Sequence, residues 1–166
     1  MFSIDRAAYR VRQLRRSLWP HVTLTEIESA RRVLGPQLYP LFVSMQPADQ
    51  RHCLDVYEAL VAGSCIDAEM LQAALIHDAG KGAIAGARFG VHHRVAYVAL
   101  QRFPAALDAL ARRNRGIRSL RDHDQRTIEV AREYGAADGV VRLLQAMDGL
   151  STDERALALV AADNQS

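Results

Sequence analysis

The chain has 166 residues, of which 49% are apolar and 24% charged, and its formal net charge is +2. These proportions are typical of a folded globular protein and exclude an intrinsically disordered one. The small net charge does not favour a nucleic-acid or membrane partner, and no run approaches the roughly 18 apolar residues of a membrane span. With two cysteines and no segment resembling a secretory signal, we expect a single domain, residues 1–166, in the cytoplasm.

The pattern along the chain predicts an all-α fold. Runs of β-branched residues are missing, and Gly or Pro recurs at short intervals, as in short helices joined by tight loops. The first predicted helices cover residues 4–18, 25–34, 38–42 and 47–63. A capping box of Thr25 and Glu28 begins the second of these. In the fourth, His52 lies four residues before Val56, at the edge of the apolar stripe, and can reach inward.

The next predicted helix is apolar on nearly every side. Asp67 is its expected N-cap, and Gly80 and Gly82 are expected to end it. Between them, residues 70–76 leave no polar stripe apart from Gln72. Such a helix is usually buried in the middle of a domain.

This helix leads into an adjacent His77–Asp78 pair. A charged carboxylate is rarely buried without a partner, and a divalent cation would satisfy both side chains at once. The alternative is a frayed helix end at which Asp78 meets Lys81 or solvent. Lys81 is the only lysine among 21 basic residues, which favours a specific role for its compact ammonium group.

A glycine-rich loop, residues 82–90, follows the pair and precedes a helix that begins near His93. The position after this loop makes His93 a candidate for contact with substrate, although packing on Tyr97 is the alternative. The basic stretch 114–121 is expected to be irregular. Asp124 is the expected cap of a helix that Gly135 ends.

Two further helices are predicted at the C-terminal end of the sequence. Asp138 is expected to cap the first, and a capping box of Ser151 and Glu154 begins the second. The second helix is apolar on every side and reaches a carboxylate, Asp163. Two helices of the buried type are therefore each expected to carry an aspartate at the C-terminal end of the helix.

The order of His52, the His77–Asp78 doublet and the distant Asp163 resembles the signature of the HD-domain superfamily of metal-dependent phosphohydrolases. The matching segments are RHCLDVYEAL, AALIHDAGK and ALALVAAD. The resemblance implies a compact multi-helix HD-domain bundle with its core in residues 44–166. Residues 1–43 would then form an N-terminal helical extension packed on that core.

The resemblance also implies a site and a reaction. The implied metal ligands are His52, His77, Asp78 and Asp163. The ion would be Mn, Fe, Co, Ni, Mg or Zn, and a metal-bound water would attack a phosphate ester. Lys81 matches the lysine of an HD-x-G-K motif and, with Asp78, is implied to be catalytic. His123 aligns with a histidine that holds a second metal ion in the HD-GYP branch of the superfamily, and we expect it to contact the substrate here.

The sequence departs from the HD-GYP branch of the superfamily. It has no GYP motif, and Met147 stands where that branch has paired histidines. A dinuclear centre is therefore not expected. The sequence allows either one bound metal ion or none. The expected function is hydrolysis of a nucleotide or another small phosphate ester. The alternatives are a catalytically degenerate HD fold that senses a ligand or binds a partner and, less favoured, an arginine-driven nucleic-acid binder. A homodimer is possible.

Overall fold

Helices account for the regular structure of residues 21–147 and 151–166, the part of the chain that the computed structural model describes. Nine α-helices lie in this part: α1 (Leu24–Val43), α2 (Pro47–Ala62), α3 (Ala68–Ile76), α4 (Val91–Leu100), α5 (Pro104–Arg113), α6 (Arg115–Arg121), α7 (His123–Glu133), α8 (Asp138–Met147) and α9 (Glu154–Gln165). A 3-10 turn, Ala79–Lys81, follows α3. The predicted all-α fold is confirmed, whereas the helix expected over residues 4–18 lies outside the described residues.

Helix α3 lies at the centre of the main hydrophobic core and contacts α1, α2, α8 and α9. Five of its nine residues are buried: Met70, Ala73, Ala74, Leu75 and Ile76. A smaller cluster around Leu107, Ala111 and Ile117 joins α4, α5 and α6. No helix of the described residues is long and apolar enough to cross a bilayer.

The first capping box differs from the predicted one by two residues. Thr23, not Thr25, caps α1, and the Glu26 carboxylate accepts the backbone N–H of Thr23 at 2.7 Å. Both pairs have the required spacing, so local sequence does not distinguish them. The tertiary structure does, because the other Glu26 oxygen binds the buried guanidinium of Arg51.

Two further segments differ from the prediction. Helix α3 ends at Ile76 instead of Gly80, because the Gly80 N–H donates to Thr127. Residues 115–121 form a helix and are not irregular, since the Asn114 side chain caps the backbone N–H of Ile117.

The caps of α7 and α9 also lie at other residues than expected. Asp122 precedes α7, so Asp124 belongs to its first turn. Asp153 caps α9 by accepting from the Arg155 N–H at 2.8 Å, and the Ser151 hydroxyl accepts from Asp153 instead. Helix α9 continues to Gln165, which places Asp163 inside its last turn.

The ion pair between Glu26 and Arg51 predicts a loss of stability in acid. Burial alone would raise the pKa of Glu26, but the Thr23 N–H and the Arg51 guanidinium outweigh it and lower the pKa from 4.5 to about 2. Because the folded pKa lies below the unfolded one, this stabilisation is complete above about pH 4.5 and is lost as the pH falls towards 2. We therefore expect Glu26→Gln to lower the urea midpoint at pH 6 and to have a clearly smaller effect near pH 2.5, where most of this stabilisation is lost.

Urea titrations of both chains at several pH values measure this difference directly. Glu28→Gln is a matched control, since Glu28 pairs with Arg31 on the exposed face of the same helix. It should change the midpoint little at any pH. A Glu26→Gln effect of equal size at pH 6 and pH 2.5 would contradict the assignment.

Candidate metal centre

Helices α2, α3 and α9 bring together three side chains that lie far apart in the sequence. His52 Nε2 lies 2.8 Å from Asp163 Oδ1, and His77 Nε2 lies 3.5 Å from the same oxygen. The ligand atoms of the three residues lie within 4.8 Å of one another. Ligand atoms that bind one ion at about 2.1 Å lie roughly 3–4 Å apart, so small side-chain movements would bring all three to a common ion.

The His77 ring is held in an orientation suited to binding a cation. Its Nδ1 lies 2.9 Å from the Ala74 carbonyl, which can only accept, so Nδ1 carries the proton and donates. Metal-binding histidines commonly donate their other ring N–H to a backbone carbonyl in this way. Nε2 is buried and has no hydrogen-bond partner among the described residues. It faces the Asp163 carboxylate and, at 4.0 Å, the Asp78 carboxylate.

Asp78 is buried beside this group and forms an ion pair with Lys81. The Lys81 ammonium lies 2.7 Å from Oδ1 and 2.8 Å from Oδ2 of Asp78. The 3-10 turn after Asp78 makes this possible, because it brings a side chain three residues later back over the carboxylate. Asp78 therefore has a cationic partner of its own and is a neighbour, not a member, of the His52–His77–Asp163 group.

His123, the first residue of α7, contributes a third imidazole. Its Nδ1 donates to the Leu120 carbonyl at 2.7 Å, which turns Nε2 towards Asp78 and Asp124. Nε2 lies 3.6 Å from Asp78 Oδ1 and 3.2 Å from Asp124 Oδ1. Nε2 of His123 therefore faces two carboxylates at the edge of the group.

Thr127 fixes the segment that carries the His77–Asp78 pair. Its hydroxyl accepts the Gly80 N–H at 2.8 Å and donates to the His77 carbonyl at 3.0 Å. Gly80 packs so closely on α7 that a Cβ atom there would lie 1.9 Å from the His123 carbonyl oxygen. Only glycine fits this approach, which explains the glycine of the HD-x-G-K sequence in physical terms.

These side chains line a cavity of about 200 Å³. Its lining residues are His52, His77, Asp78, Lys81, His123, Asp124, Thr127, Leu144, Met147 and Asp163. Leu144 and Met147 give it one apolar wall. The His52 and Asp163 side chains are about one third exposed, so the cavity opens to solvent on their side.

The charges of the cavity stabilise each other. Burial alone would raise the pKa of Asp78, but Lys81 and His77 outweigh it and hold the pKa well below its usual range. Burial also favours protonation of Asp163, yet His52 and His77 keep its pKa low in the same way. Both carboxylates are therefore ionised at neutral pH, as metal ligands must be.

The pKa of His77 is shifted in the opposite direction, upward. Burial alone would lower its pKa, but the Cys53 sulfur and the neighbouring carboxylates outweigh burial and raise the pKa well above its ordinary value. The carboxylates thus attract a positive charge to His77 Nε2. A proton supplies that charge, and a divalent cation would supply it more strongly.

The structure does not bring His93 into this cavity. Its Nδ1 accepts the Gly90 N–H at 3.0 Å, and its ring packs so closely on Gly116 that a Cβ there would lie 2.4 Å away. Both contacts give His93 a structural role between α4 and α6. Its ring also lies against that of His92, with 3.9 Å between the centroids and 41° between the ring planes.

Sequence reasoning missed two residues of the centre. Cys53 is fully buried with its sulfur 3.7 Å from His77 Nδ1, and Cys53, His77 and Asp78 form a second group of close ligand atoms. Thr127 had no local signal, because its role depends on how α7 packs against the 3-10 turn. For Cys53, its position one residue after His52 was the available signal.

No family model matches the chain, and no curated protein or solved structure matches it at a significant level. The resemblance to HD domains thus remains a prediction that depends on the residues themselves.

Proposed function

We propose that the protein is a metal-dependent phosphohydrolase that acts on a nucleotide or another small phosphate ester. The observation that carries the proposal is the buried His77 Nε2, which has no hydrogen-bond partner among the described residues and faces two ionised carboxylates. A buried polar atom without a partner is costly. A divalent cation removes that cost and balances the carboxylates.

The residues of the cavity have different roles in the proposed reaction. His52, His77 and Asp163 would bind the ion, and Asp78 would join them or stay with Lys81. When bound, a divalent cation lowers the pKa of a water molecule and polarises a phosphoryl oxygen. Lys81 presents a fixed positive charge in the same cavity, where it can hold the oxygens of a phosphate group. His123, between Asp78 and Asp124, can hold or release a proton at Nε2.

The cavity suits a small substrate group. Its volume of about 200 Å³ holds a phosphate group with a small part of its ester, so the remainder of a nucleotide would extend to solvent past His52 and Asp163. The wall formed by Leu144 and Met147 is apolar and offers no side chains that could bind a second metal ion. We therefore assign one metal ion to the centre. Free cysteines agree with the cytoplasmic location that we also propose.

One observation favours the alternative, a degenerate HD fold that senses a ligand or binds a partner. Lys81 already satisfies Asp78, so this carboxylate needs no metal ion. In that case the His52–Asp163 hydrogen bond would be structural, and the cavity would bind a phosphorylated ligand without hydrolysing it.

Metal content and hydrolysis together test the proposal. The freshly purified full chain is expected to contain about one equivalent of a transition metal by elemental analysis. After chelation and dialysis it should hydrolyse p-nitrophenyl phosphate or bis-p-nitrophenyl phosphate when Mn²⁺ or Co²⁺ is added, and not without them. A chain that binds neither metal contradicts the proposal and supports the sensing alternative, and one that binds metal without hydrolysing any ester of a broad phosphate-ester panel contradicts the hydrolase assignment.

Lys81→Arg is expected to lower turnover at least tenfold even though the charge is retained. The guanidinium is larger and planar, and it cannot occupy the place that the ammonium holds 2.7 Å from Asp78. Bound metal should not change, because Lys81 is not one of its ligands. The measurement is kcat on the substrate that the panel identifies, alongside metal content. Arg126→Lys, an exchange of the same two residue types at a half-exposed position outside the cavity lining, is the control. An unchanged kcat for Lys81→Arg would count against its role.

A further inference from the structure

A second cavity, of about 230 Å³, lies between the glycine-rich loop and α6. It is lined by Gly86, Arg88, Arg115, Arg118 and Ser119. It shares no lining residue with the cavity of the candidate metal centre. Nothing in the proposed hydrolysis uses it.

The three arginines of this cavity have no acidic partner among the residues that the structure describes. No ion pair among the described residues involves Arg88, Arg115 or Arg118, whereas Arg121 on the same helix pairs with Asp108 at 3.1 Å. Like charges that line one concave surface repel each other and create a positive potential in it. An anion from outside the chain would remove that repulsion.

Arg118 is held in place without any acid. Its Nε donates to the Ala111 carbonyl at 3.0 Å and its Nη2 to the Arg112 carbonyl at 2.7 Å, both in the last turn of α5. Its Nη1 makes no hydrogen bond to the described residues. The guanidinium is thus ordered before a ligand arrives, which lowers the entropy cost of binding.

The chemistry of the lining suits a phosphate group. The Ser119 hydroxyl already donates to the Arg115 carbonyl, so recognition falls to the guanidinium groups. Guanidinium groups bind phosphate oxygens through pairs of parallel hydrogen bonds. A small concave cavity fits a compact anion, whereas a nucleic acid needs an extended surface.

We propose that this cavity binds the diphosphate group of a small ligand, at a site separate from the candidate metal centre. Three guanidinium groups match the charge of a diphosphate better than that of a single phosphate. The same chemistry is offered by inorganic pyrophosphate and by a nucleoside diphosphate. The site does not depend on the proposed hydrolase function.

Calorimetric titration of the full chain, after chelation and dialysis, with inorganic pyrophosphate tests the site. The double variant Arg88→Gln/Arg115→Gln is expected to weaken binding about tenfold or more. Arg112→Gln/Arg113→Gln is the matched control: it removes the same charge from exposed neighbouring positions outside the lining, and should change the dissociation constant by less than about threefold. A parallel titration with ADP separates the two sources, since tighter binding of ADP assigns the site to a nucleotide.

Three results would overturn the proposal. One is no binding of either ligand at millimolar concentration, and another is equal weakening by both double variants, which would reflect overall charge. The third is single-stranded RNA binding that is tighter than pyrophosphate binding and lost in the same lining variant. Asp163→Asn is expected to leave pyrophosphate binding unchanged while it removes the metal, so failure of the metal centre and failure of this site are distinguishable.

Discussion

Asp163→Asn is expected to abolish metal retention, with affinity lowered by more than about 100-fold. Asparagine keeps the size of the side chain and one oxygen, but it removes the negative charge that faces His52 and His77. Turnover should fall below detection with it. The metal-free chain should also lose stability, by about 1–2 kcal/mol, because the charge-assisted hydrogen bond from His52 is weakened.

The measurements are bound metal by elemental analysis and the thermal midpoint with and without chelator. In the parent chain, chelation should lower the midpoint, and in Asp163→Asn it should have no effect. Asp138→Asn is the matched control, since Asp138 is an exposed carboxylate in the first turn of α8. Full metal occupancy in Asp163→Asn would show that this arm of the centre is wrongly assigned and would favour the sensing alternative.

Gly80→Ala is expected to have the second large effect, on the fold and the centre together. The added Cβ would lie 1.9 Å from the His123 carbonyl oxygen and 2.8 Å from the Thr127 nitrogen, both backbone atoms of α7. Neither can rotate away, so the 3-10 turn and α7 must separate. That movement breaks the hydrogen bonds of Thr127 to Gly80 and His77. We expect a loss of about 3 kcal/mol, or roughly 10 °C in the thermal midpoint.

Gly63→Ala makes the same chemical change at a helix end with more room. A Cβ there would lie 3.3 Å from the Leu60 carbonyl oxygen, and Gly63 has a φ of −77°, which alanine adopts readily. It should change the midpoint by no more than a few degrees. Equal midpoints for Gly80→Ala and the parent chain would contradict the close packing of the turn on α7.

The sequence predicted the helices because their signals are local. Pro47 and Gly63 bound α2, Asp67 caps α3, and the apolar run before His77 is buried as its composition indicates. The candidate ligands were found from residue type and order, since histidine and aspartate at the edge of apolar helices need partners.

Tertiary contacts decided the features that the sequence could not predict. The segment TLTEIE contains two capping boxes with equal spacing, and Arg51, 25 residues away, selects the one with Glu26. The end of α3 depends on Thr127, 47 residues after Gly80. His93 seemed placed for a site by its neighbouring glycines, but Gly116 of another helix receives its ring. In each case the contacting residue is distant in the chain, so the local sequence alone could not predict the structure observed.

The separation of 111 positions between His52 and Asp163 also sets an order of events during synthesis. A ribosome that adds about 5–20 residues per second needs roughly 5–20 s to travel from one to the other. Helices α1 to α3 can pack in that interval, before Asp163 has been synthesised. The nascent chain therefore passes through a stage in which His52 and His77 lack the carboxylate that faces both of them in the folded structure.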